Sequence, residues 1–162
     1  MSETNTPETA AAAAPVFAIE KIYIKDLSVE VPNAPQIYLE RDTPNISIGL
    51  QTKTQSLVEG AFEVVLSATV TATLGDKTVF LVEVGQGGIF RILNVPSESL
   101  VGLLEIACPN ILFPYVREVV ADTLSRAGFA PVMLQPVNFE ALYARRQEEQ
   151  KAAAANGDTA TQ

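Results

Sequence analysis

The chain has 162 residues, with 19 acidic against 11 basic side chains for a net charge of −8, one cysteine and no histidine. Such a charge argues against a nucleic-acid partner, since a negative surface repels phosphate backbones. The missing histidine removes the commonest general base and metal ligand, and a lone cysteine leaves no intrachain disulfide or cysteine-based zinc site.

The first fifteen residues are rich in Ala, Thr and Glu, and the last twelve hold Ala, Gly, Asp, Thr and Gln. Neither end has a hydrophobic pattern, so residues 1–15 and 151–162 read as disordered arms around a single domain at 16–150. Glu3 and Glu8 precede the first basic residue, Lys21, which argues against a signal peptide. No run approaches the ~20 apolar residues of a membrane span. Together with the single Cys108 this leads to the expectation of a cytoplasmic chain without direct membrane insertion. Neither GxxxxGK[ST] nor GxGxxG occurs, so no cofactor is expected.

From Phe17 to Val31 the chain is strand-like, but its alternation slips. Phe17 and Ile19 share one parity, Ile22 and Ile24 the other, and Leu27, Val29 and Val31 return to the first. A strand of period 2 can do this only through a bulge or bend. Prolines at 32 and 35 end it. Ile46, Ile48 and Leu50 alternate with Ser47, Gly49 and Gln51 in a second, one-faced strand. The third runs from Phe62 to Leu74 in near-perfect alternation. Gly75-Asp76 is a two-residue hairpin signal returning a fourth strand from Lys77 to about Val84. The expected fold is α+β, a four-stranded antiparallel sheet in meander-like order with C-terminal helices on one face.

Ser97 is an N-cap candidate for a first helix, which Pro109 is expected to interrupt. A second helix is expected from about Ile111 to Ala127, closed by Gly128. Asn138 caps a last helix on which Phe139, Leu142 and Tyr143 share a face. On the second helix Leu112, Phe113, Val116, Val119, Val120, Leu124 and Ala127 spread over an arc of roughly 140°, more than the ~100° one sheet needs. The excess predicts self-association, with Leu112, Val116, Val119, Val120 and Leu124 at the interface.

Two further surfaces stand out. Asp26, Ser28 and Glu30 share one parity and Leu81 and Glu83 another, so one sheet face would gather three carboxylates beside a leucine. A merely solvated strand face explains the same charges. Phe129, Val132, Met133 and Leu134 put apolar groups in a loop, where they either plug the core or line a groove. Carboxylate pairs such as Asp26 with Glu30 or Glu105 with Glu140 are nominal acid–base candidates, but no flanking pattern marks them, and no enzyme is expected. An apolar pocket between sheet and helices keeps a small-ligand or lipid carrier open as an alternative.

Four blocks carry a resemblance: VPNAP at 31–35, QGGIF at 86–90, CPNILFPYVRE at 108–118 and PVNFEALY at 136–143. In this order and spacing the chain resembles the SecB family of protein-export chaperones from about Phe17 to Tyr143. The resemblance implies an ATP-independent holdase for unfolded precursor proteins, a homotetramer built as a dimer of dimers, and docking to the translocation ATPase SecA. The matching docking positions are Asp26, Glu30, Leu81 and Glu83. A client-peptide groove would use Ile46, Ile48, Leu50, Phe129, Met133 and Leu134. SecB relatives often carry a tryptophan near Asp42; this chain has none.

Overall fold

A computed structural model describes residues 11–157, the last two by backbone only. Four long strands, β1 (Val16–Glu30), β2 (Asn45–Val58), β3 (Ala61–Leu74) and β4 (Lys77–Leu93), form one antiparallel sheet in the order β1-β4-β3-β2. Strands β2 to β4 are a meander, as expected, with Gly75 at φ +56° in the two-residue turn between Leu74 and Lys77. The expected place of β1 is corrected: it lies beside β4, so β1 and β2 are the two edges.

The slip in β1 is resolved by two irregularities of register, between Ile19 and Lys21 and between Ile24 and Asp26. Each inserts one residue, Glu20 or Lys25, and returns the next apolar residue to the same side. Phe17, Ile19, Ile22, Ile24, Leu27 and Val29 thereby stand opposite Ile92, Phe90, Gly88, Gln86, Val84 and Val82, all on the helix side. Gln86 secures the second irregularity by donating from Nε2 to the Tyr23 carbonyl at 3.0 Å.

Strand β4 runs nine residues beyond the expected end at Val84, straight through Gly87 and Gly88. Each leaves room for something that crosses the strand. A Cβ on Gly87 would lie 2.6 Å from the Tyr23 ring, and one on Gly88 would lie 2.6 Å from the Phe90 ring and 3.0 Å from Leu112.

The helices depart from expectation at Pro109. α1 (Ser97–Gly102) and α2 (Cys108–Arg126) are joined without a break by one π turn, Leu103–Ala107. The proline ring would collide with the carbonyl of Glu105 four residues back, and it has no N–H to donate. Widening the preceding turn accommodates both. Ser97 is the first helical residue, not the cap, and Pro96 precedes it. By length and composition alone, 97–126 is long and apolar enough to cross a membrane, against the expectation that no run approaches a span. Gly128 closes α2 as expected, at φ +86°, with Phe129 N–H donating to Leu124 and Gly128 N–H to Ser125.

Helix α3 (Phe139–Gly157) is capped by Asn138, whose Oδ1 accepts from Ala141 N–H at 3.0 Å. It continues through 151–157, which composition assigned to the tail; the alanines at 152–155 have the highest helix propensity of any residue. The rest of the expected arms, 1–10 and 158–162, lies outside the described residues.

The core is α2 against the middle of the sheet. Leu112, Val116, Val120 and Leu124 are fully enclosed, at 0% exposure, among Val64, Leu66, Val70, Val82 and Phe90. This corrects the expected oligomer interface. Four of its five residues are consumed inside the protomer, where they pack against the sheet, and Val119 stays partly exposed.

Candidate functional site

The helix side of β2 is left open. Ile46, Ile48 and Leu50 stand opposite Ala72, Val70 and Ala68, and α2 packs against β3 and β4 instead. Ile46 and Ile48 are therefore exposed, while Leu50 is half-buried. The three form one apolar track about 13 Å long at the ~3.3 Å rise of a strand.

At the Ile46 end the track opens into a concavity of about 410 Å³. Its wall is an aromatic stack. The ring of Tyr38, in the short helical turn Gln36–Leu39, lies 5.1 Å from Phe129, which lies 5.0 Å from Phe80 on β4. The Tyr38 hydroxyl donates to the Ala127 carbonyl at 2.7 Å, tying this turn to the end of α2. Ile37, Leu74, Val79 and Val132 complete the apolar lining, and Glu40 and Asp42 are its acidic members. Aromatic surface is thus present here although the chain has no tryptophan. At the Leu50 end a second concavity, of about 280 Å³, is formed with Phe139, Leu142, Arg145, Arg146 and Glu149 of α3.

Of the expected groove residues, Ile46, Phe129 and Leu50 line these concavities, Ile48 lies between them, and Met133 is 58% exposed. Leu134 is corrected: it is 4% exposed and belongs to the core, with its carbonyl accepting from Arg117 Nε at 2.9 Å. Tyr38 was missed as a groove residue; Val132, grouped with Phe129 in the sequence, lines the concavity, and Ile37 and Phe80 are buried beneath it. The signal was available in QIYL, an apolar run directly after VPNAP where a loop should be polar.

The other sheet face carries the acidic set. Asp26 stands opposite Gly85, Ser28 opposite Glu83 and Glu30 opposite Leu81, which brings all four expected docking residues onto one face. Asp26, Glu30 and Glu83 are exposed and Leu81 is half-buried. None of the three carboxylates is in an ion pair among the described residues. A trough of about 710 Å³ runs beside them, floored by Ser67, Thr69 and Gly85.

One carboxylate on this face is different in kind. Glu63 is buried, accepts from Lys25 Nζ at 2.7 and 2.9 Å, and accepts from the Tyr23 hydroxyl. The Lys25 hydrogen bonds and then the Tyr23 one hold its pKa below the usual 4.5. Burial, with help from the Glu63 charge, pushes Tyr23 up to about 12. This network joins the irregularity in β1 to β3 across β4, so it is bracing for the face.

The family model described as "Preprotein translocase subunit SecB" matches residues 10–150. A "Protein-export protein SecB" of Dechloromonas aromatica is 62% identical over 141 residues, covering 87% of this chain and 93% of the relative. One of Azoarcus sp. is 60% identical over 151 residues, covering 93% and 97%. Among solved structures, a SecB-like chaperone of Mycobacterium tuberculosis, in complex with a ChAD peptide from the HigA1 antitoxin, superposes with a TM-score of 0.62 at 18% identity. That match covers 75% of this chain and 90% of the other, and it speaks for the fold. The four sequence blocks, the sheet with its long helices and these relatives agree: the chain belongs to the SecB family.

Proposed function

We propose that this chain is an ATP-independent export chaperone, a holdase that binds unfolded precursor proteins along β2, keeps them translocation-competent and delivers them to SecA. One observation carries this: Ile46, Ile48 and Leu50 form an open apolar track on an edge strand, ending in an aromatic-walled concavity, in a chain of the SecB family. Each client side chain buried there contributes about 1.5–3 kcal/mol before ordering costs. The attraction needs no sequence code, and the flexible thioether of Met133 adapts to varied shapes. A folded protein hides the side chains that would bind, so the same physics selects unfolded chains. The client-contacting set is Ile46, Ile48, Leu50, Phe129 and Met133, with Tyr38 added and Leu134 removed.

SecA docks on the opposite sheet face, where Asp26, Glu30 and Glu83 orient a basic partner and Leu81 gives a desolvated contact. The working form is a homotetramer, a dimer of dimers, in the cytoplasm. Support for self-association comes from β1: Phe17, Ile19, Ile24, Leu27 and Val29 are 40% to 49% exposed in a row on the helix side of an edge strand. An open edge with such a row invites pairing with a second copy. A carrier of a small apolar ligand is less favoured, because the apolar surface is spread along β2 instead of gathered into one chamber.

The test combines native mass spectrometry with a denatured precursor and an aggregation assay without nucleotide. Four subunits with bound precursor and suppressed aggregation are expected, and Ile48→Asp should abolish suppression while SecA binding persists. A stable monomer, or suppression untouched by Ile48→Asp, overturns the reading.

A further inference from the structure

The acidic sheet face exists because β1 carries an inserted residue. Ile24 stands opposite Gln86 on the helix side and Asp26 opposite Gly85 on the outer side, with Lys25 between them. Had the strand kept its period of 2, Asp26, Ser28 and Glu30 would follow Ile24 onto the helix side, and Leu27 and Val29 would face outward. Two side chains hold the inserted residue. On the helix side Gln86 donates to the Tyr23 carbonyl at 3.0 Å. On the outer side Lys25 reaches across β4 to Glu63 on β3, its Nζ 2.7 and 2.9 Å from the two carboxylate oxygens. Glu63 is buried on a central strand, whereas Lys25 is exposed, so Glu63 is the anchor of the pair. Lys25, Asp26, Glu63 and Glu83 all line the same trough.

We propose that Lys25, anchored by Glu63, is a positioning residue for SecA docking: the pair fixes the irregularity that turns Asp26 and Glu30 outward beside Glu83. Lys25 acts through Asp26 and not by contact with the motor. This rests on the docking-face reading and adds to it a residue of the opposite charge to those that dock. The charge of Lys25 by itself works the other way. As a cation next to Asp26 it weakens the field that attracts a basic partner. Removing that field effect strengthens docking, while releasing Asp26 weakens it. The sign of the change therefore separates placement from field.

The experiment measures SecA binding to the full chain by titration calorimetry at low salt, well below the unfolding temperature. Lys25→Met makes the face more negative and Glu63→Leu makes it less so. Both should nevertheless bind SecA about two- to fivefold more weakly, the worth of one exposed charge pair. The two cut the same contact, so the double variant should be no weaker than Glu63→Leu alone. Lys25→Arg, which still donates to Glu63, should bind like wild type. Two controls set aside a general loss of stability. Val120→Ala loosens the core on the helix side, and Glu20→Gln breaks the ion pair with Arg91 at the other irregularity of β1. Both should leave SecA affinity unchanged. Unchanged or tighter binding by Lys25→Met, additive losses in the double variant, or an equal loss in either control overturns the proposal. If Asp26→Asn and Glu83→Lys bind SecA as wild type does, the docking face itself lies elsewhere and the underlying reading falls with the proposal.

Discussion

Tyr23 lies across Gly87. The ring of the β1 residue occupies the space a side chain on the β4 residue would need, and from there its hydroxyl reaches Glu63 on β3. Gly87→Ala must push the ring away and break that hydrogen bond. We expect a loss of about 1–3 kcal/mol, read as a lower urea midpoint with unchanged slope. Gly49→Ala, on the exposed edge strand with nothing within 4 Å of the added Cβ, should change stability by less than about 0.5 kcal/mol. Equal effects would remove the close-approach explanation.

The Glu63 network predicts a pH dependence with a definite sign. Its carboxylate is held below 4.5 in the folded chain, so its contribution is present above that value and lost as pH falls through the depressed folded pKa. Tyr23 is raised from 10.0 to about 12, so its contribution is complete below pH 10 and lost as pH rises toward 12. In Glu63→Gln the decline of thermal stability below pH 4.5 should be shallower than in wild type. A wild-type acid limb unchanged by the substitution would show that other carboxylates carry it.

Neighbouring residues in the loop after α2 should separate stability from function. Leu134→Ala creates a core cavity and is expected to cost about 2–5 kcal/mol, whereas the exposed Met133→Ala should cost less than about 0.5 kcal/mol. Met133→Ala should instead weaken capture of a denatured precursor, measured by aggregation kinetics. Loss of stability in both variants would mean that Met133 is core as well.

Charge reversal on the outer sheet face should spare client binding. Glu83→Lys stands opposite Ser28 and away from the β2 track, so it should weaken SecA binding, most at low salt, while precursor capture stays at the wild-type level. Equal loss of both activities would contradict two separate surfaces.

Cys108 is fully buried, and burial pushes its thiol pKa up to about 12. In native buffer it should resist iodoacetamide, and modification should rise in step with unfolding as urea is added. Rapid native labelling would show that the start of α2 opens locally.

Local patterns in the chain were sufficient for much of this architecture. The period-2 slip in β1 demanded bulges and the structure contains two, because each apolar side chain there has only one face on which to avoid water. The Gly75 hairpin, the Gly128 helix end and the Asn138 cap were equally legible, since each depends on a few neighbouring atoms. The parity of Asp26, Glu30, Leu81 and Glu83 also held, because register transmits a strand's alternation to its neighbour. What distance along the chain conceals was left to the tertiary structure. Pairing β1 with β4 is a contact between remote segments that no local pattern encodes. Gly87 and Gly88 lay past the expected end of β4, and only the tertiary structure brings Tyr23, Phe90 and Leu112 into the space they leave. Helical periodicity counts apolar residues but cannot tell how much of the arc a sheet will cover, so Val116 became core; nor can composition tell which apolar loop residue is enclosed, so Leu134 went inside while Met133 stayed exposed.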